Sequence, residues 1–152
     1  FVGQNYGARN YKRIDKILLW SIGMSIVGVV LCASVLTVFP EKIMAIFNSD
    51  PEVIQGGIPK LLILSWGYIT YCAQGCISGC LHGLKRNTAT TVINMIFVVG
   101  TRLPWALLLF PMYPTAWFLF LCYPVSWLLC GIAQSIFYLH VRKKLWVKEA
   151  AQ

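Results

Sequence analysis

The sequence has few charged residues, and this scarcity excludes a soluble domain. Charged residues make up 12% of the 152 positions, whereas apolar residues make up 58%. Soluble domains carry about 25% charged residues. The mean hydropathy is +0.68. So little charge cannot cover the surface of a globular domain, and we expect lipid to be the solvent around most of this chain.

Acidic residues and histidines are scarcer still, with five Asp and Glu and two His in the whole chain. General acid–base catalysis needs such titratable groups in fixed positions. No glycine-rich phosphate loop followed by Lys and Ser or Thr is present. The sequence therefore predicts a protein that is not an enzyme and has no cofactor. No basic face with stacking aromatics is visible either, which argues against nucleic-acid binding.

The six cysteines form no C-x-x-C pair. Cys72, Cys76 and Cys80 lie four residues apart, so a helix would place them on one face. A metal site and tight packing by small side chains are the two readings. Three thiolates at bilayer depth would be costly, and no acidic residue or suitably placed imidazole other than the distant His82 could complete a site. Packing is therefore favoured, and we predict no metal.

Four apolar stretches are long enough to cross a bilayer, which takes about 20 residues. Inside lipid every backbone polar group must be bonded within its own segment, so stretches of this length are helices. We predict an all-α membrane protein whose four transmembrane helices are called spans 1 to 4. Their approximate limits are 17–39, 61–83, 91–110 and 116–139. The chain begins at Phe1 without a signal-peptide pattern, and we expect it to start within a longer protein.

Basic residues are concentrated in alternate connections. One side of the membrane would hold Arg9, Lys12, Arg13, Lys16, Lys85, Arg86, Arg142, Lys143, Lys144 and Lys148. The other side would hold only Lys42 and Lys60. By the positive-inside rule, the first side is cytoplasmic. We therefore expect a multi-pass protein of the plasma membrane with both chain ends in the cytoplasm.

Polar side chains recur along three of the predicted helices, in a medium where they usually face protein or water. Span 2 carries Thr70, Gln74, Ser78 and His82; span 3 carries Thr90, Asn94, Thr101 and Arg102; span 4 carries Ser126 and Gln134. Contacts along a transport pathway and hydrogen bonds between helices are both open as explanations.

Arg102 is the most expensive of these side chains. An arginine at mid-span costs about 2.5–3.5 kcal/mol on insertion scales. No carboxylate lies within the four predicted spans. We expect its partner to be backbone carbonyls freed by Pro104 or a group in the missing part of the protein, and its role to be either helix locking or contact with a substrate or ion.

Glycine and proline predict the packing and the bends. Gly75, Gly79 and Gly83 recur every fourth residue of span 2, a pattern that lets another helix approach closely. Pro59, Pro104 and Pro124 are predicted kinks or hinges. Ser49 or Asp50 followed by Pro51 and Glu52 predicts a helix start, with the helix running along the interface before it enters the membrane at Pro59.

With these elements in place, several segments resemble the multidrug and toxic compound extrusion (MATE) transporters. They are GQNYGARNYKR at 3–13, IFNSDPEVI at 46–54, ISGCLHGLKRNT at 77–88, TRLPWALLL at 101–109 and YPVSWLL at 123–129. The resemblance implies that the chain is the last four of twelve helices, part of the C-terminal lobe of a two-lobe transporter.

The resemblance also implies export of organic, often cationic, compounds in exchange for protons or sodium by alternating access. The partners would be the lipid bilayer, the missing N-terminal part and small organic substrates. Some family members have a coupling carboxylate where this chain has Tyr71, so the coupling acid is expected outside this segment. Gln74, Asn94, Arg102 and Tyr71 are the pathway candidates. A lipid or lipid-linked sugar flippase of the related superfamily is the alternative.

Overall fold

The computed structural model describes the backbone of residues 1–150 and the side chains of residues 1–145. The side chain of Lys148, counted above among the basic residues, lies outside this range. Four helices in the described part are long and apolar enough to cross a membrane: Tyr11–Val38, Pro51–Gly83, Asn87–Met112 and Ala116–Leu145. The described residues contain no strand. The predicted all-α fold with four membrane-spanning helices is confirmed.

The helices are longer than the predicted apolar stretches. Span 1 begins at Tyr11 rather than near residue 17, and the last helix runs Ala116–Ala150. A hydropathy pattern ends at the first charged residue, but a helix continues through charged residues in water. The longer limits bring Asp15 into the first helix and Glu52 into the second, so the observed helices contain carboxylates that the predicted stretches do not.

Span 2 starts where the capping pattern predicts. The helix Pro51–Gly83 has Asp50 as its N-cap, and the Asp50 carboxylate accepts a hydrogen bond of 3.0 Å from the Glu52 amide. Pro51 takes the first turn, where a missing N–H costs nothing. The helix is continuous through Pro59, and a bend there stays a prediction.

Span 3 is irregular. An α-helical segment Asn87–Asn94 leads into a π-helical segment Met95–Val99, then the α-helical Gly100–Pro104, a second π-helical segment Trp105–Leu109, and a 3₁₀ turn Phe110–Met112. π-helical segments of this kind occur often at functional sites. Pro104, a predicted kink, lies where the second one begins, because it has no N–H to donate to the preceding turn.

The spans pack in the order 1, 2, 4, 3. Span 2 lies against span 1 on one side and span 4 on the other, and span 3 packs mainly on span 4. Two short helices, Val2–Gly7 and Pro40–Met44, flank span 1. We call the end that holds the Val2–Gly7 helix and the 84–86 loop the basic end. The buried apolar side chains are concentrated there, namely Ile14, Leu18, Cys80, Leu81, Leu84, Tyr138 and Val141.

Candidate functional site

Spans 2, 3 and 4 enclose an open groove of about 620 Å³. Span 4 forms its back, and spans 2 and 3 form its two walls. This volume is in the range of small-molecule sites. Its principal polar and aromatic lining residues are Tyr71, Gln74, Ser78, Asn94, Arg102 and Trp127. All four pathway candidates, predicted separately from two helices, therefore line one groove.

Three amide side chains meet at the bottom of the groove, and we call Gln74, Asn94 and Gln134 the amide cluster. The Asn94 carbonyl oxygen accepts hydrogen bonds from the Gln74 amide at 2.9 Å and the Gln134 amide at 3.2 Å. It also accepts one from the Cys130 thiol at 3.0 Å. Gln134 is fully buried, Gln74 nearly so, and Asn94 is half-buried. Spans 2, 3 and 4 are thus joined through one oxygen atom.

Close packing between the backbones of spans 2 and 4 allows the three amide side chains to contact one another. Gly131 on span 4 faces Gln74, and a side chain there would place its first carbon 3.3 Å from the Gln74 Cβ. Asn94 is the last residue before the π-helical segment of span 3. Hydrogen bonds between helices, one of the two explanations for the polar residues, are therefore present here. Gln74 and Asn94 also line the groove, and their contact with a transport pathway stays a prediction.

Arg102 contacts span 4. Its Nε donates to the Ser126 hydroxyl at 3.2 Å, and its guanidinium lies 4.5 Å from the Tyr123 ring centre and 5.8 Å from that of Trp127. Within this chain its contacts are thus a hydroxyl and two rings of span 4 rather than carbonyls freed by Pro104. A partner in the missing part of the protein stays a prediction. Tyr123 and Trp127 lie four residues apart on a helix, and that spacing was the available signal.

Tyr71 extends the aromatic surface along the groove. Its ring centre lies 5.1 Å from that of Trp127 and 5.7 Å from that of Tyr68. Tyr71 is 45% exposed, so one face of this aromatic group is open to the groove. Among the described residues no carboxylate lines the groove.

The three glycines that recur every fourth residue of span 2 have two different kinds of surroundings. Gly83 makes a close approach, because a side chain there would meet Val2 at 2.7 Å. Gly75 and Gly79 line the groove, and a Cβ at either position would have no atom of the described chain within 4 Å outside its own helix turn. Helix packing at these two positions stays a prediction. At Gly67, on the same helix, a Cβ would lie 3.1 Å from the Pro124 side chain, so the backbones of spans 2 and 4 approach closely there.

The described cysteines are all free, and no group of three possible metal ligands comes together in the described residues. Cys80 is buried in the basic end, and Cys76 lies 3.5 Å from the Ser25 hydroxyl of span 1. His82 lies at one end of the groove, where its Nδ1 is 2.9 Å from the Asn87 side-chain oxygen.

Sequence reasoning missed one set of contacts, the Asp15 cluster, formed by Asp15, Tyr138 and Arg142. The Tyr138 hydroxyl donates to Asp15 at 2.6 Å, and the Arg142 Nε and Nη2 approach the other carboxylate oxygen at 3.0 and 2.9 Å. These contacts join spans 1 and 4 at the basic end. Asp15 stands among four basic residues in the sequence, which concealed its role.

A family model described as MatE matches residues 1–108. The FAD transporter of Shewanella oneidensis is 29% identical over 108 residues, covering 71% of this chain and 24% of that protein. The probable multidrug resistance protein YoeA of Bacillus subtilis is 26% identical over 110 residues, covering 72% of this chain and 24% of that protein. The chain spans about a quarter of the length of these curated relatives.

Proposed function

Because the chain belongs to the MatE family, we propose that the protein containing it is an efflux transporter of the plasma membrane. It exports organic compounds in exchange for protons or sodium by alternating access. The groove of spans 2 to 4 is one wall of its substrate pathway. The names of the two relatives, a FAD transporter and a probable multidrug resistance protein, support transport of organic compounds.

The observation that carries the proposal is the groove itself. It places a half-buried arginine and two amides at a depth where polar side chains are normally excluded. A groove surface with polar side chains open at this depth has to face either another protein surface with polar groups or water. A pathway that alternately opens to each side of the membrane supplies water and polar solutes to such a surface.

The coupling ion is proposed to bind outside this chain. Tyr71 stands at the position where the resemblance expects a carboxylate, and its ring packs on Trp127. Asp15, which lies in the first turns of span 1, is paired with Arg142 at the basic end. Neither residue offers an open acidic site in the groove. In this proposal both ends of the chain are cytoplasmic, as the distribution of basic residues indicates.

Dye accumulation in cells that lack their main efflux pumps tests the proposal. Cells expressing the full-length protein would receive a panel of fluorescent organic dyes, with and without a proton ionophore and with sodium replaced by potassium. We expect accumulation of at least one dye to fall, and this fall to disappear when one of the two ion gradients is removed. Accumulation equal to that of cells without the protein, at good membrane expression, would contradict the proposal.

A further inference from the structure

We propose that the groove selects planar aromatic compounds that carry an acidic group, with the ring against Tyr71 and the anion on Arg102. The inference rests on the proposed function in taking the groove as part of the transport pathway. The proposed substrates are anionic, whereas the family resemblance implies substrates that are often cationic.

The first support is the incomplete use of Arg102. A guanidinium has five N–H donors in a planar fork and keeps its positive charge in proteins. The Nε donor is occupied by Ser126 at 3.2 Å. The terminal nitrogens have no hydrogen-bond partner among the described residues, and Arg102 lines the open groove. Two parallel donors of this kind match the two oxygens of a carboxylate or phosphate.

The second support is the charge around the groove. Asp15 is bound by Tyr138 and Arg142, and Glu41, Asp50 and Glu52 lie beyond Phe39 at the opposite end of the bundle. In the part of the chain that the structure describes, Arg102 is therefore a positive charge without a neighbouring carboxylate. At low dielectric such a charge attracts an anion and repels a cation over several ångströms.

The third support is the group of aromatic rings beside the charge. The Trp127 ring centre lies 5.1 Å from that of Tyr71 and 5.8 Å from the Arg102 guanidinium. A ligand ring that stacks on the exposed Tyr71 can therefore bring an attached acidic group to Arg102.

Matched dyes test the proposal by binding, without requiring transport. Fluorescein and a cationic rhodamine ester share one planar xanthene core and differ in charge. Their affinities for the full-length protein in nanodiscs can be measured by fluorescence anisotropy, after subtraction of empty nanodiscs. We expect fluorescein to bind about tenfold more tightly than the rhodamine, since hydrogen bonds to charged groups are among the strongest.

Variants separate the two parts of the site. Arg102→Gln should lower fluorescein affinity about tenfold and leave rhodamine affinity unchanged or improved, and Arg102→Lys, which keeps the charge, should lie between. Tyr71→Ala should weaken both dyes alike. Lys60→Gln is the control, because this lysine lies over Phe120 and does not line the groove; it should change neither affinity.

Tighter binding of the rhodamine, or fluorescein affinity unchanged in both Arg102 variants, would overturn the inference. So would absence of fluorescein binding. If fluorescein binds in an Arg102-dependent way but neither dye is exported, the inference stands and the proposed transport function fails. If the dyes are exported but Arg102 has no effect on either affinity, transport stands and the inference fails.

Discussion

Two polar clusters join the helices of this chain, and they differ in charge, burial and depth. The amide cluster is neutral, lies at the bottom of the groove and joins spans 2, 3 and 4 through Asn94. The Asp15 cluster is charged, lies at the basic end and joins spans 1 and 4. The first borders open space, whereas the second adjoins the largest group of buried apolar side chains.

The difference follows from the cost of placing each group in lipid. Neutral amides inside a span can be satisfied by one another, while an ion pair costs less where water reaches it. The Arg142 side chain is 40% exposed. We infer that the two regions have different roles. The basic end holds the helices together, and the groove contacts the transported compound. Each prediction below alters one side of this comparison.

The largest effect should come from the apolar packing at the basic end. Leu81 is completely buried there. Leu81→Ala should lower the free energy of unfolding by about 2–5 kcal/mol, the usual cost of a core leucine. Thermal unfolding of the full-length protein in detergent would measure this. Leu107→Ala, at a position that is 70% exposed, should have little effect; equal losses would contradict the assignment of the packing core.

The second effect should appear in transport rather than stability. Gln74→Ala should lower export about tenfold, or about 1.4 kcal/mol, because it removes a groove contact and a hydrogen bond to Asn94. The stability loss should be smaller, since interhelical hydrogen bonds in membranes average about 0.6 kcal/mol. Dye export per folded protein is the measurement. Gln55→Ala is the matched control, because Gln55 lies on the same helix, exposed and bonded to Glu41. Unchanged export in both Gln74→Ala and Asn94→Ala would remove these residues from the pathway.

The third effect concerns the ion pair of the Asp15 cluster. In a double-mutant cycle, Asp15→Asn and Arg142→Gln should each destabilise the protein, with a coupling of about 1 kcal/mol, since the pair is partly exposed. The cycle removes other contacts of Arg142 from the result. Unfolding of the single and double variants would be compared at low and high salt. Additive losses would show that the pair contributes nothing.

The smallest effect should be that of one hydroxyl. Tyr138→Phe keeps the buried ring and removes the donor to Asp15. We expect a loss of about 0.5 kcal/mol in the free energy of unfolding, with dye export per folded protein unchanged. A large fall in export at normal stability would mean that the basic end takes part in transport, and the two roles inferred above would be wrong.

Much of the fold could be predicted from the sequence. Four apolar stretches and the start of span 2 at Asp50 follow from hydropathy and capping chemistry, and both are confirmed. The true helix ends were not predictable, because hydropathy marks the apolar part of a helix and not its charged ends. The π-helical segments of span 3 were not predicted either. They change the register, so an even 3.6-residue pattern does not describe which residues share a face.

The candidate site was predicted residue by residue but not as an arrangement. Gln74, Asn94, Arg102 and Tyr71 were identified because polar or unusual side chains in apolar helices are costly. That Asn94 accepts from Gln74 and Gln134 depends on the packing order of the spans, which periodicity alone does not give. The Asp15 cluster depends on contacts 123 and 127 residues apart in sequence.

Cysteine labelling tests most directly whether the groove of spans 2 to 4 is a water-filled substrate path. Ser78→Cys, in the groove, and Leu107→Cys, on the exposed apolar face of span 3, would be compared in the full-length protein. Cys32, Cys72 and Cys76 would be replaced by alanine in both, with a membrane-impermeant maleimide as the reagent. The account predicts that Ser78→Cys is labelled and is protected by a transported dye, while Leu107→Cys is not labelled. An unlabelled Ser78→Cys in a protein that still exports the dye would contradict it.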